Sequence, residues 1–191
     1  MIEAITAIDI NAFLNSSLGE NAWIPGAVLF ATWETIYMVF ISTAVSYIVG
    51  LPLALILVTT EKGHILENQR INEVLGAIVN AFRSIPFIIL LILLIPFTRL
   101  IVGTSIGTVA SIVPLSIAAI PFVARLVETS IKEIDWGLIE AALSMGANAW
   151  QIITKVLLPE ASPSLILGVA ITTINLVSYS AMAGIVGGGG L

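Results

Sequence analysis

The stretch Glu140-Ala-Ala-Leu-Ser-Met-Gly146, followed after nine residues by Val156-Leu-Leu-Pro159, interrupts an otherwise apolar chain. Just before and inside it, Leu138, Ala142 and Met145 recur at i, i+4 and i+7, which predicts a short amphipathic helix with these residues on one face. The glycine stands where a left-handed residue ends a helix, and the proline closes the second segment. We therefore expect a helix–turn–helix elbow that presents a short helix outside the membrane.

The second arm of this elbow has its own start signal. Asn148 can cap a helix, and Gln151 three residues later completes a capping-box pattern. Trp150, Ile153 and Leu157 then share one face of the predicted helix. The arrangement predicts a second short helix that ends at the proline.

The composition indicates a membrane protein. Hydrophobic residues make up 58% of the 191 and charged residues only 10%, and the mean hydropathy is +1.09. Soluble domains usually carry about a quarter charged residues. The net charge of −5 argues against nucleic acid as a partner. The absence of cysteine excludes disulfides, and the single histidine, His64, stands in a charged loop where we expect it to be solvated rather than to bind a metal.

Four apolar segments have about the 20 residues needed to cross the hydrocarbon core. They run from about 35 to 59, 75 to 97, 105 to 124 and 162 to 186. We therefore predict an all-α, polytopic transmembrane helical bundle. Pro25-Gly26 is the expected break before it, and Ser162-Pro163 the expected start of the last span. Residues 1–32 are predicted to be an extracytoplasmic or interfacial segment, and residues 33–191 a membrane domain with a cytoplasmic loop at about 125–160.

The distribution of positive charge predicts the orientation, since cytoplasmic loops are enriched in Lys and Arg. Residues 1–33 contain neither, whereas the first loop and the loop around Glu140 carry Lys62, Arg70, Arg125, Lys132 and Lys155. We expect the N-terminus outside and the Glu140 loop in the cytoplasm. In that loop, Arg125 with Glu128 and Glu128 with Lys132 have the spacing of ion pairs on one helix.

Arg83 lies within the second predicted span, because the apolar run that follows it is too short to cross alone. An arginine in a span costs at least ~2.5 kcal/mol on insertion scales and needs a partner or a route to the headgroups. Two interpretations stay open. Arg83 snorkels to the interface, or it is an intramembrane anchor, structural or gating, between helices.

A polar stripe marks the fourth predicted span. Thr172, Asn175, Tyr179 and Met182 fall at i, i+3, i+7 and i+10 on an otherwise apolar helix. Small polar residues in a span often only support helix packing. The alternative is that the stripe lines a translocation path for a small polar solute, with Met182 at a constriction.

The chain lacks the sequence signs of an enzyme. It contains neither a Walker A pattern nor paired carboxylates, a Ser-His-Asp grouping or a metal-ligand cluster. We therefore expect no bound cofactor and no ATP hydrolysis by this chain. If ATP drives the activity of this protein, a separate ATPase must dock on the elbow and move the elbow as a lever. The alternative for the elbow is a helix lying passively on lipid, which its scarcity of Lys and Arg disfavours.

The elbow resembles the EAA loop of type I ABC importer permeases. That pattern is Glu-Ala-Ala, three residues, Gly, nine residues, Ile, one residue and Leu-Pro, and here Val156 replaces only the Ile. The resemblance supports an ATPase-coupling loop that comprises Leu138, Glu140, Ala141, Ala142, Ser144, Met145, Gly146, Leu158 and Pro159.

From about Trp33 onward the chain is similar to the permeases of methionine ABC importers. The similarity is carried by Phe82-Arg-Ser-Ile-Pro-Phe87, Ile95-Pro-Phe-Thr-Arg99, Val102-Gly-Thr-Ser-Ile-Gly107 and Tyr179-Ser-Ala-Met182. It implies uptake of D- and L-methionine and derivatives by alternating access across the bacterial cytoplasmic membrane. It also implies a permease homodimer, two cytoplasmic ABC ATPase subunits that bind ATP and Mg, and an extracytoplasmic methionine-binding lipoprotein.

Family members have five spans, so the resemblance predicts a fifth one after Leu191. The substrate rests on the resemblance alone, and two alternatives stay open. One is a permease for another amino acid or small solute. The other, of a different class, is a non-ABC facilitator or a structural membrane subunit.

Overall fold

A computed structural model describes residues 23–191, which fold into an all-α bundle. Residues 1–22 of the predicted extracytoplasmic or interfacial segment lie outside the described residues. In chain order the helices are α1 (Ile24–Thr59), α2 (Gln69–Ser84), α3 (Phe87–Leu93), α4 (Ile95–Val102), α5 (Thr108–Lys132), α6 (Trp136–Ser144), α7 (Ala149–Ile152) and α8 (Leu158–Ile185). A π-helical turn, Ile153–Leu157, joins α7 to α8.

Three helical units of the described part are long and apolar enough to cross a membrane: α1, α5 and the continuous run of residues 149–185. The helices α2 and α3 provide a fourth crossing only as a pair, and they are bent by 102° at their junction. The predicted bundle is confirmed, but its second span is a broken helix rather than a straight one.

The break in the second span has a local cause. Ile85 precedes Pro86, and the proline ring disfavours the helical conformation for the residue before it. Ile85 accordingly adopts an extended backbone, with φ −83° and ψ 123°. The prediction of a single helix from 75 to 97 is therefore wrong, and Arg83 lies in the last turn of α2, beside the bend.

Two helix boundaries also differ from the prediction. The first helix begins at Ile24 rather than near residue 35, because Pro25 lies in its first turn, where proline is tolerated. At the other end of the bundle, α5 continues to Lys132, past the predicted end near residue 124. Both helices therefore extend beyond the apolar core that the hydropathy pattern marks.

The last span is longer than expected because Pro159 does not stop it. In the π turn, the Leu158 N–H bonds to the Ile153 carbonyl five residues back, and Pro159 follows in the first turn of α8. Pro163, the predicted start of the span, lies inside α8. The second arm of the elbow and the last span thus form one continuous helical unit.

The helices α1 and α5 pack closely against each other at Gly50. A Cβ atom added at Gly50 would lie 2.8 Å from Val123 Cγ1 and 3.1 Å from the Ile120 carbonyl oxygen. Val123 is fully buried in a cluster that also contains Val58 and Val127. The missing side chain at Gly50 therefore lets the parallel helices α1 and α5 approach each other closely.

The glycine run at the end of the chain closes the opposite end of the bundle from the elbow. The Gly107 N–H donates to the Gly187 carbonyl at 2.8 Å, and the Ser111 hydroxyl to the Gly188 carbonyl at 3.1 Å. The Gly190 N–H donates to a carboxylate oxygen of Glu34 at 3.0 Å. This segment ties α1, α5 and α8 together.

Gly50→Ala should lower the free energy of unfolding by about 1–3 kcal/mol, the usual cost of overpacking a core. The added methyl group would overlap Val123, which has no free space to move into. Thermal unfolding of the purified protein in detergent measures the effect as a lower Tm. Gly26→Ala in the same helix is the control, since nothing lies within 4 Å of its added Cβ. Equal Tm values for the two variants would contradict the close approach of α1 and α5.

Candidate functional site

The elbow begins with a capped and terminated helix, α6. The Asp135 carboxylate accepts a hydrogen bond from the Gly137 N–H at 2.6 Å and so caps the helix start. At the other end Gly146 has φ +81°, its N–H donates to Leu143 at 2.9 Å, and the Ala147 N–H donates to Ala142 at 3.0 Å. These two bonds form a Schellman motif, so the predicted glycine stop is confirmed.

The second arm starts immediately after this motif. The Asn148 side chain accepts from the Gln151 N–H, the Gln151 side chain accepts from the Asn148 N–H, and both distances are 2.9 Å. The predicted capping box is therefore confirmed. Because only Ala147 separates the C-terminal motif of α6 from this N-cap, the turn between the two arms has little conformational freedom.

The apolar side chains of α6 divide between two faces. Ile139 and Ala142 are buried against the rest of the bundle, whereas Leu138 is 45% exposed and Met145 82% exposed. The prediction that Leu138, Ala142 and Met145 share one face is therefore wrong, since Ala142 is buried and the other two are exposed. Sequence spacing missed Ile139 because apolar residues surround α6 on most sides and two apolar stripes fit equally well.

The second arm shows a similar division. Ile153 and Leu157 are buried as predicted, but Trp150 is 72% exposed, and the fully buried Ile152 takes the inner position. Of the other residues assigned to the loop, Leu158 is half-buried, and exposed positions are Glu140, Ala141, Ser144, Gly146 and Pro159. One face of the elbow is thus anchored in the bundle core while the predicted loop residues mostly lie on its surface.

The first loop packs against the elbow, a contact that sequence spacing did not indicate. Lys132 bridges Glu128 at 3.0 Å, the predicted i, i+4 pair, and also Glu61 of the first loop at 2.8 Å. The His64 ring meets Trp136 of α6 edge-on, with ring centroids 5.3 Å apart. His64 is half-buried rather than fully solvated, and this burial lowers the pKa of its imidazole despite the attraction of Glu61.

The predicted polar stripe of α8 changes its surroundings along the helix. Thr172 is fully buried, and its hydroxyl donates to the Gly168 carbonyl of its own helix at 2.8 Å. Asn175 and Tyr179 are half-buried, and Met182 is 40% exposed. Tyr179 stacks on Phe87 of α3, with ring centroids 4.5 Å apart and planes within 3°. Of the four, Tyr179 is the one that lines a cavity described below.

Two neighbouring cavities meet at Arg83. The inner cavity, of about 400 Å³, contains Arg83, Phe122, Arg125 and Glu133 among its lining residues. The aromatic cavity, of about 160 Å³, is lined by Arg83, Phe122 and Tyr179 together with Phe82, Ile85, Phe87, Leu90 and Ala118. Because Arg83 and Phe122 line both spaces, they form the partition between them.

The two arginines at these cavities differ in their partners. Arg125 donates to Glu128 at 2.6 Å, the predicted i, i+3 pair, and to the Gly76 carbonyl at 3.2 Å. The ion pairs among the described residues involve Arg125, Lys132, Glu128 and Glu61, and Arg83 takes part in none of them. Arg83 is therefore the cation of the cavity wall whose charge no described carboxylate neutralises.

The chain is similar to curated permeases. It is 60% identical over 164 residues to the probable D-methionine transport system permease protein MetI of Vibrio cholerae, which covers 86% of this chain and 73% of the relative. It is 55% identical over 152 residues to the D-methionine transport system permease protein MetI of Escherichia coli K12, covering 80% of this chain and 70% of the relative.

Solved structures and a family comparison agree with this similarity. A chain of the MetNI methionine ABC transporter in an inward-facing conformation matches with a TM-score of 0.86 at 52% identity, covering 87% of this chain and 77% of that one. A chain of an amino acid ABC transporter shares the fold, with a TM-score of 0.70 at 22% identity. Residues 50–191 match the family described as the binding-protein-dependent transport system inner membrane component. The chain therefore belongs to that family of inner membrane transport components.

Proposed function

We propose that this protein is the membrane-spanning permease subunit of an ATP-driven importer that moves methionine, in its D- and L-forms, across the cytoplasmic membrane by alternating access. The observation that carries the proposal is the elbow, whose two arms are capped back to back around Gly146 and whose inner face is buried in the bundle. The similarity to curated D-methionine permeases supports the choice of substrate.

The arrangement of the spans supports an orientation. The first loop and the elbow lie at the same end of the bundle, since Lys132 contacts Glu61 and His64 contacts Trp136. That end carries most of the positive charge, which favours the cytoplasmic side. The proposed protein therefore presents the Glu140 loop to the cytoplasm and the start of α1 to the outside.

The elbow is suited to transmit a movement from a cytoplasmic ATPase. Its exposed apolar side chains, Leu138, Leu143 and Met145, offer an anchor for a cleft in a partner, and Glu140 adds a polar contact beside them. Its buried side chains, Ile139 and Ala142, transmit a displacement to α5 and α1 through the core. The exposed face binds the ATPase, and the buried face transmits the displacement to the bundle.

The proposed assembly follows from this division of roles. Two ABC ATPase subunits bind ATP and Mg and hydrolyse the nucleotide, while this chain performs no catalysis and binds no cofactor. Two copies of the permease form the pathway, and an extracytoplasmic lipoprotein delivers methionine to them. The MetNI structures to which the chain is similar are those of a methionine ABC transporter, which supports pairing with an ATPase. Nucleic acid has no place in the assembly.

The solute path remains a proposal centred on α8. Tyr179 faces the aromatic cavity and Met182 is exposed beyond it, so both suit the predicted path. Asn175 lies between Thr172 and Tyr179 on the same stripe and is half-buried. Thr172 fits helix packing better, because it is fully buried and its hydroxyl is already bonded.

The function is tested by ATPase activity of the reconstituted permease–ATPase complex with its binding protein. Binding protein loaded with methionine should stimulate hydrolysis above the level seen with ligand-free binding protein. Stimulation by another amino acid but not by methionine would replace the substrate while keeping the importer. Failure of any ATPase to co-purify with the permease would overturn the importer proposal itself.

Met145→Asp should weaken binding of the ATPase subunit by about tenfold or more. The side chain is 82% exposed on α6, so the change spares the bundle core but places a charge in the apolar contact. Co-purification and titration of the ATPase onto nanodisc-embedded permease measure the loss. Ile106→Asp, at a 65% exposed position near the other end of the bundle, is the control and should bind normally. Equal ATPase affinity in both variants would contradict docking on α6.

Gly146→Pro should abolish methionine-stimulated ATP hydrolysis while the permease still inserts into the membrane. Proline cannot adopt the φ of +81° and removes the N–H that bonds to Leu143, so the Schellman motif is lost. Gly103→Pro is a matched control, because Gly103 has φ +82° and its N–H bonds to Arg99 at 2.9 Å. Normal stimulation in the Gly146 variant, or its equal loss in both, would contradict a specific coupling role for the elbow.

A further inference from the structure

The aromatic cavity lies at mid-depth of the bundle. Ala118 and Phe122, which line it, stand on either side of residue 120, the midpoint of α5 between Thr108 and Lys132. At about 1.5 Å per residue, Phe122 is roughly 15 Å from the Lys132 end of the helix. The cavity thus lies well inside α5 but close to residue 124, where the predicted apolar segment ends, and its wall contains the guanidinium group of Arg83.

The lining of this cavity is amphipathic in a specific way. The lining includes the positive charge of Arg83, which forms no ion pair with a described residue. Most of the other lining side chains are aromatic or aliphatic: Phe82, Phe87, Leu90, Phe122 and Tyr179. Guanidinium binds carboxylate through charge-assisted hydrogen bonds, and aromatic rings make favourable contacts with a thioether sulfur.

We propose that the aromatic cavity is an intramembrane binding site for a zwitterionic amino acid with an apolar side chain, in which Arg83 binds the α-carboxylate and the Phe87, Phe122 and Tyr179 rings surround the side chain. This inference rests on the proposed function and gives its substrate a site within the permease. It also assigns Arg83 a ligand-binding role in place of snorkelling or helix anchoring.

The neighbouring Arg125 explains why the ligand charge would go to Arg83. Arg125 is already neutralised by Glu128 and held by the Gly76 carbonyl, so it has less to gain from a further anion. Glu133 also lines the inner cavity, but it lies eleven positions along the chain from Phe122, or about 16 Å on a helix. A carboxylate in the aromatic cavity would therefore meet an uncompensated cation at Arg83.

The position of the partition indicates the direction in which a ligand would leave the aromatic cavity. Arg83 and Phe122 separate the aromatic cavity from the inner cavity, which extends along α5 to Glu133 and Ser130 near the elbow. Movement of either side chain would widen the connection from the aromatic cavity to the inner cavity. The site is therefore a waiting position before release toward the elbow end.

Equilibrium binding of radiolabelled methionine to the full-length permease–ATPase complex in nanodiscs, without binding protein, tests the proposal. Wild-type protein should show saturable binding that unlabelled methionine displaces and methioninol, which lacks the carboxylate, does not. Arg83→Met should weaken binding by about tenfold or more, and Arg83→Lys should restore part of it. Arg99→Met, at an exposed arginine outside both cavities, is the control and should bind normally.

Three outcomes would overturn the proposal. They are no saturable binding by the wild type, equal competition by methioninol, and unchanged binding in Arg83→Met. If Arg83 instead held a lipid phosphate, Arg83→Met would abolish stabilisation by phosphatidylglycerol and leave methionine binding intact, which also counts against the site. Stimulation of the wild-type ATPase by methionine-loaded binding protein, measured on the same preparation, shows separately whether the proposed function holds.

Discussion

The close parallel contact between α1 and α5 is the constraint on which the other elements depend. Gly50 allows the two helices to approach until Val123 fills the space that a side chain would occupy. In a bilayer, helices gain little from apolar contact as such, because lipid tails offer the same surroundings, so close packing at small residues must hold them. This pair then carries the first loop at one end and the glycine-run closure at the other.

The polar groups of the spans are satisfied largely within each helix. Thr59, Thr172 and Thr173 donate to carbonyls four residues earlier, and Thr59 and Thr172 are buried. Such bonds let hydroxyl groups enter an apolar environment without a partner from another helix. An arginine cannot be satisfied in this way, so Arg83 needs a different explanation from these threonines.

The elbow was the part of the molecule most predictable from sequence, because its signals are local. The stop at Gly146, the Asn148 capping box and the Arg125–Glu128–Lys132 spacing each depend on residues within four positions, and each is confirmed. Helix type and the apolar spans were also predictable from composition. What failed was the choice of face on α6, since burial there is set by neighbours from α1, α5 and α8.

The predictions drawn from the prolines were the other source of error. They missed one helix break and placed helix ends where the helix continues. Pro86 breaks a span that hydropathy alone joins. Pro159, which was expected to end a helix, and Pro163, which was expected to start one, both lie within the continuous helical run of the last span. The difference lies in the preceding turn. Ile85 leaves the helical conformation, while the π turn before Pro159 shifts the hydrogen bonds to carbonyls five residues back and keeps the chain helical. Sequence does not reveal which of the two will occur.

Continuity of the last helical unit links the elbow to the aromatic cavity. Residues 149–185 run without a break from the second arm of the elbow past Tyr179, whereas Phe87 belongs to the separate bent pair α2–α3. The stacked rings of Tyr179 and Phe87 therefore belong to different helical units. A displacement of the elbow that is carried through the π turn would move Tyr179 relative to Phe87 and Arg83 and so change the shape of the cavity. In this architecture the elbow and one wall of the aromatic cavity belong to the same helical unit, with no loop between them.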